Sequence, residues 1–278
     1  MNDQSVQTFV PKDFKSDVKP VWCPGCGDFP VLLGLTKALA HLGRKPEDIA
    51  VVSGIGCSSR IPAYTCCYGF HGVHGRSLAL AAGLKVARPE LTVIVAGGDG
   101  DGYSIGGNHF IHACRRNVDM TYIVMDNQVY GMTKGQASPT TEPDWTQSKL
   151  TPGGTGVRSF TPLGIALAAG ATFLGRAFGG DSNATAKLLC EAIEHPGFAF
   201  VEVLSPCIIY RPEQREWKNM VHATDSDPVA DRALAGQQLL SDDGFTTGLL
   251  FRTDYPAYGP EIGNPTATFA DIEKEFAV

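Results

Sequence analysis

The stretch "LTVIVAGGDGDGYSIGGNH", Leu91 to His109, decides how this chain is read. It begins as an apolar, β-rich run, the mark of a buried strand. It ends in a glycine–aspartate turn. Glycines let a backbone come close to phosphate, and their N–H groups can bind its oxygens. Asp99 adds a carboxylate, the hard donor that a divalent cation on phosphate requires. The next such run, "MTYIVMDN", ends at Asn127, 28 residues after Asp99. Asn127 offers an amide oxygen, and the carbonyl of Val129 follows two residues on. If the two strands are parallel neighbours, both ends meet at one edge of a sheet. Taken alone, the triplet "GDG" reads first as a simple turn.

Working outward, strands alternate with helices. "IAVVSGIG" (49–56) reads as a buried strand entering a glycine turn. "FPVLLGLTKALAHLG" (29–43), "RSLALAAGLKVARP" (76–89) and "GNHFIHACRRN" (107–117) read as helices. "PLGIALAAGA", "SNATAKLLCEAIEH" and "FAFVEVLSPC" follow as helix, helix and strand. This alternation predicts an α/β fold with a mostly parallel, doubly wound sheet. Ligands in such folds bind beyond the carboxyl ends of the strands. Residues 128–160 form a long Gly-, Ser-, Thr- and Pro-rich loop, a length usually tied to function. Residues 1–210 read as the main domain. Residues 211–278 read as a C-terminal extension that contacts a partner, with a helix near 228–240 and a short hairpin near 243–252.

Composition excludes several classes. Of 278 residues, 43% are hydrophobic and 19% charged, and the net charge is −6, so no basic face marks a nucleic-acid binder. The polar start lacks a signal-peptide core, and no long uncharged apolar run suggests a membrane span. A cytoplasmic location is expected, where the eight cysteines serve as thiols or metal ligands more often than as disulfides. No GxxxxGK[ST] is present, nor a GxGxxG with an acidic residue about 20 positions on.

"VWCPGCGDFP" (21–30) pairs Cys23 with Cys26. Such a pair serves dithiol exchange, structural zinc or an iron–sulfur cluster. A second CxxC, which a zinc ribbon needs, is absent. Thioredoxin-like pairs follow a strand, whereas this one follows polar coil. A [4Fe–4S] cluster needs four thiolates, often one close pair and distant members. Cys57 and Cys207, each in a turn after a strand, complete that count. Cys66, Cys67, Cys114 and Cys190 lie in apolar or helical context and read as ordinary cysteines.

"GGDGDG" with a distant strand-end Asn and "YGMTKGQ" resembles the thiamine diphosphate motif. With "WCPGCGD", "GIGCSSR", "HGVHGR" and "SPC", residues 15–210 look like the β subunit of 2-oxoacid:ferredoxin oxidoreductases. The resemblance implies a thiamine diphosphate-binding fold. It implies Mg²⁺ on Asp99, Asn127 and the Val129 carbonyl, and one [4Fe–4S] cluster on Cys23, Cys26, Cys57 and Cys207. The cofactor would be bound by Ile55, Gly56, Cys57, Ser58, His74, Gly98, Asp99, Gly100, Asp101, Asn127, Val129, Gly131, Met132 and Thr133. His74, Arg60 and Met132 are the implied catalytic residues. Arg60 would pair with a second substrate carboxylate, which 2-oxoglutarate has and pyruvate lacks.

The implied reaction is coenzyme A-dependent oxidative decarboxylation of 2-oxoglutarate, with electrons leaving through the cluster to ferredoxin, or the reverse, CO₂-fixing direction. Pyruvate or another 2-oxo acid is the alternative substrate. A non-catalytic electron-transfer subunit is the alternative of another class, and it would not need the Asp99–Asn127 pair. Only one thiamine-binding module fits in the chain, so an α subunit would supply the pyrimidine-binding domain and the activating Glu, in an (αβ)₂ assembly.

Overall fold

The computed structural model describes residues 8–259 and residue 274. Its strands are β1 (Ile49–Ser53), β2 (Tyr68–His71), β3 (Thr92–Gly98), β4 (Met120–Asp126), β5 (Val129–Tyr130), β6 (Gln136–Ala137), β7 (Phe173–Phe178), β8 (Phe198–Leu204), β9 (His222–Ala223) and β10 (Thr246–Arg252). Its helices are α1 (Asp28–Leu42), α2 (Ile61–Tyr64), α3 (Ser77–Ala87), α4 (Gly107–Arg116), α5 (Pro162–Ala169), α6 (Ser182–Glu194), α7 (Trp217–Met220) and α8 (Arg232–Ser241).

Eight strands form one sheet in the order β2-β1-β3-β4-β8-β7-β10-β9, and every pairing is parallel except β10 with β7. The central strands β1, β3, β4 and β8 are buried almost throughout, as strands covered on both faces must be. On one face α1 and α6 cover Val51, Ile94, Ile123 and Val201. On the other, α3, α4, α5 and α8 cover Val95, Tyr122, Leu174 and Phe200. The apolar residues of α1 fall at helical spacing (Val31, Leu32, Leu35, Ala38, Leu39), and Gly43 ends the helix in the left-handed region at φ 63°. Leu35 is fully buried, so Leu35→Ala would cost about 2–5 kcal/mol.

Among the segments that differ from the sequence reading, three are instructive. The first is β7, "FLGRAF", whose glycine and arginine mask its strand character. Arg176 is tolerated there because its Nε donates to Glu202 Oε2 on β8 at 2.7 Å and it also pairs with Asp242. The second is the hairpin expected near 243–252, which does not form. Residues 246–252 make the single strand β10, which pairs antiparallel with β7 and parallel with β9. Its partners are a distant strand with an unpaired edge and a two-residue strand, and no immediate neighbour. The third is Gly100–Ile105, expected as a loose turn. It winds as a wide π-type helical turn leading into α4. Such turns recur at functional sites. The helix expected near 228–240 is α8; its Arg232 donates to the Leu167 and Ala171 carbonyls at the end of α5.

Candidate functional site

The topology alone gathers the chemistry. β1, β3, β4 and β8 are consecutive in the sheet and parallel, so their carboxyl ends share one edge. The loops leaving those ends carry, in spatial order, Cys57, Asp99, Asn127 and Cys207. A cavity of about 450 Å³ opens at this edge. Every one of the fourteen residues named for cofactor binding lines it, joined by Tyr130 and Gln136. Gly100 has to be glycine here, because a Cβ would lie 2.1 Å from the Tyr130 ring, whose hydroxyl donates to the Gly100 carbonyl at 3.1 Å.

Asp99 is buried at the start of the wide turn, and burial raises its carboxyl to about 6. Asp126, at the end of β4, is buried beside it. Its carboxyl is pushed well above the ordinary range by burial and then by the charge of Asp99. The Thr140 hydroxyl bridges the two, 2.8 Å from Asp126 Oδ1 and 3.2 Å from Asp99 Oδ2. Two buried carboxylates linked by one hydroxyl repel each other when both are ionised. A cation placed between Asp99 and Asn127 relieves that repulsion, and the donors are all oxygen, the set a hard divalent ion prefers. The residues present therefore fit Mg²⁺ on a diphosphate.

Asp101 does other work. Its Oδ1 accepts from the backbone N–H groups of Ile55 (2.9 Å) and Gly75 (2.7 Å), and His74 Nδ1 lies 2.9 Å away. One carboxylate thus ties the loop after β1 to the loop before α3. A proton on Nδ1 leaves His74 Nε2 as its free nitrogen at the cavity.

The four cysteines come together beside the cavity. Cys57 lines it, and a Cβ on Gly131, another lining residue, would sit 3.6 Å from Cys207 Sγ and 3.9 Å from Cys57 Sγ. Cys26 donates its N–H to the Cys23 carbonyl at 3.0 Å, and Gly27 N–H donates to the Pro206 carbonyl at 3.0 Å, joining the pair to the turn of Cys207. Burial, followed by the charge of Asp28, pushes the Cys57 thiol up to about 12 and the Cys26 thiol higher still. Burial also raises Cys207. Thiols this reluctant to ionise need a positive centre to become thiolates. Among the described residues, no three Cys, His, Asp or Glu side chains converge tightly enough for a single ion. A four-iron cluster is broader than one ion, and an all-sulfur donor set is the one it takes. The cysteines fit such a group. Trp22, buried against Tyr64 and Phe29, donates Nε1 to the Cys57 carbonyl at 2.7 Å.

Among the three residues named as catalytic, Arg60 is the exception. It does not line the cavity; its Nε donates to the Tyr64 hydroxyl at 3.0 Å. His71 is bound at Nδ1 to the Ser59 carbonyl (2.7 Å) and lies apart from the site. Tyr130, Gln136 and Thr140 were not singled out from sequence. The first two fall inside "DNQVYGMTKGQ" beside residues that were, and Thr140 gives no signal except its place in the long loop.

Residues 54–203 match the family described as "Thiamine pyrophosphate enzyme, C-terminal TPP binding domain". By that match the chain belongs to the thiamine pyrophosphate-binding class of proteins. It is 50% identical over 199 residues to 2-oxoglutarate oxidoreductase subunit KorB of Mycobacterium tuberculosis, covering 72% of this chain and 53% of that protein. It is 44% identical to 2-oxoacid:ferredoxin oxidoreductase 2, subunit beta, of Aeropyrum pernix (71% and 64% covered). With 2-oxoglutarate synthase subunit KorB of Methanocaldococcus jannaschii it shares 46% identity (68% and 70% covered). Among solved structures, 2-oxoglutarate:ferredoxin oxidoreductase from Magnetococcus marinus with 2-oxoglutarate, coenzyme A and succinyl-CoA bound superposes with a TM-score of 0.87 at 43% identity, over 91% of this chain and 88% of that one. The chain belongs to the family of 2-oxoacid:ferredoxin oxidoreductase β subunits. The matched region spans about half to two thirds of the length of the mycobacterial and Aeropyrum relatives.

Proposed function

We propose that this chain is the catalytic β subunit of a 2-oxoglutarate:ferredoxin oxidoreductase, carrying out coenzyme A-dependent oxidative decarboxylation to succinyl-CoA and CO₂. The observation that carries this reading is the wall shared by Cys57 and Gly131, where the cavity meets the cysteine group. A thiamine decarboxylase without redox chemistry has no use for those thiols, and an electron-transfer subunit has no use for the Asp99–Asn127 edge. When bound, thiamine diphosphate supplies the electron sink for decarboxylation and a [4Fe–4S] cluster the one-electron exit to ferredoxin.

The chain's own residues do the rest. Asp99, Asn127 and the Val129 carbonyl would hold Mg²⁺, while Gly98 and Gly100 let the backbone approach the diphosphate. Cys23, Cys26, Cys57 and Cys207 would hold the cluster. His74, oriented by Asp101, presents Nε2 to the substrate for hydrogen bonding or proton transfer. Met132, 50% exposed, supplies an apolar wall. Arg60 rests on one neutral hydroxyl, with no opposite charge to pair with among the described residues. A second substrate carboxylate offers a bidentate pair of opposite charge in place of that single bond and would draw it across.

Ile55, Val73, Ile105 and Met132 stand exposed around His74 and the cavity mouth. An apolar rim there suits coverage by a partner chain. We assign that role to an α subunit bringing the pyrimidine-binding domain and an activating Glu, in an (αβ)₂ assembly. No helix among the described residues is long and apolar enough to cross a membrane, which suits a cytoplasmic enzyme served by ferredoxin. With reduced ferredoxin the same site would run in the CO₂-fixing direction.

The test is anaerobic purification with the partner, determination of iron and thiamine per chain, and coenzyme A-dependent viologen reduction with several 2-oxo acids. About four irons per chain are expected. Turnover with pyruvate ten times that with 2-oxoglutarate would refute the substrate assignment.

A further inference from the structure

Gln214 sits in the short turn that follows Cys207 and is almost completely buried. Its Oε1 accepts the Cys207 N–H at 2.8 Å, and its Nε2 donates to the Asn127 carbonyl at 2.8 Å. The orientation of the amide is fixed chemically, since a backbone N–H can only donate and a carbonyl can only accept. One side chain therefore spans two strand-end loops, one bearing a cysteine of the cluster group and one bearing an oxygen donor of the diphosphate edge. Arg211 reinforces the same joint. Its N–H donates to the Cys207 carbonyl at 2.8 Å, its Nη1 donates to the Gln128 carbonyl at 3.1 Å, and its guanidinium stacks 4.5 Å over Trp145. The clasped loop is under backbone tension, with Gln128 held at φ 55°.

We propose that Gln214 is a positioning residue that sets the spacing between the Cys207 thiolate and the Asn127 metal-and-diphosphate loop, so that both prosthetic sites depend on one amide. This rests on the thiamine and cluster reading above. The amide also determines where the Cys207 N–H points. Hydrogen bonds to cluster sulfurs tune a cluster's electronics. Gln214 captures this N–H and holds it away from the sulfurs. A freed Cys207 N–H becomes available to the sulfurs.

Two variants of the assembled enzyme separate the two ends. Gln214→Met keeps the volume and removes both hydrogen bonds. It should weaken Mg–thiamine diphosphate binding about tenfold in a calorimetric titration, the cost of an unpartnered buried carbonyl. It should also shift the g-values of the reduced cluster. Gln214→Glu, titrated at a pH where its carboxyl is ionised, keeps an acceptor for the Cys207 N–H and loses the donor to Asn127. It should weaken cofactor binding while retaining wild-type g-values, a split that a merely structural role would not produce. Wild-type affinity and wild-type g-values in either variant overturn the inference, as does a Gln214→Glu enzyme with altered g-values and unchanged affinity. If Gln214→Met does not fold, Gln214→Glu decides by the same two measurements. A wild-type chain that binds neither iron nor thiamine diphosphate overturns the functional reading, and this inference falls with it.

Discussion

Asp101→Asn is the sharpest probe of how the site is held together. The Asp101 carboxylate takes three donors on one oxygen, from Ile55, Gly75 and His74. Hydrogen bonds to an ionised acceptor contribute about 1.5–3 kcal/mol each, against about 0.5–1.5 kcal/mol for neutral pairs. The amide oxygen of asparagine keeps the three bonds at neutral strength. Its NH₂ must then occupy the place of Oδ2, which is buried with no hydrogen-bond partner. A Cβ on Gly54 would come within 2.1 Å of Oδ2, so the backbone packs close against that oxygen on one side. The combined local cost is about 2–4 kcal/mol. That cost falls on loop opening, since both loops are tied to this one residue. The assay is native-state hydrogen exchange of the Ile55 and Gly75 amides. An increase of at least about thirtyfold is expected, equivalent to 2 kcal/mol. Exchange within threefold of wild type at both amides would refute the claim that Asp101 ties these loops together.

Gly100→Ala forces the Tyr130 ring out of its place against the cavity, so thiamine diphosphate affinity should fall more than tenfold by titration. Unchanged affinity would mean that the ring yields freely. Serine at Cys26 or Cys207 should abolish iron loading measured per chain, while Cys190→Ser, on α6, should leave it intact; iron retained by the first two would dismiss the cluster assignment. His195 gives a pH signature. The Thr172 hydroxyl donates to Asn117 Oδ1, so His195 Nε2–H donates to Thr172, and Nδ1 is buried without a partner. Burial therefore holds the folded pKa below the usual 6.5. The unfolded chain binds the proton more readily, so the contribution of this histidine to stability is complete above 6.5 and is lost as pH falls through the folded value. Denaturation midpoints should drop below pH 6.5 in the wild type and drop less in His195→Gln; equal slopes would contradict the assignment.

The strands whose ends carry chemistry were the ones legible in the sequence. β1, β3 and β4 are continuous apolar runs that stop at glycine, aspartate or asparagine, so period and punctuation agree. Each pair of parallel neighbours then brings its loops together with no further information. β7 escaped because a buried arginine looks polar until its partners Glu202 and Asp242 are known, and these lie far away in sequence. β10 was mistaken for part of a hairpin because edge pairing is settled by which strand lacks a neighbour, a property of the whole sheet. Arg60 shows the reverse limit. Its place three residues after Cys57 in the resembling motif suggested a substrate contact, and in this structure its Nε donates to Tyr64, four residues on, a contact that helical spacing makes available and that no motif announces.

The antiparallel strand β10 has a consequence for how the chain is made. It covers the open edge of β7, yet it leaves the ribosome long after β7 does. Phe178 ends one strand and Thr246 begins the other, 68 residues later. At about 5–20 residues per second, the nascent sheet waits roughly 3–14 s with that edge bare. Through that interval β7 presents unpaired N–H and C=O groups to every other nascent chain nearby. The last strand to join the sheet thereby sets how long each new molecule needs protection from its neighbours.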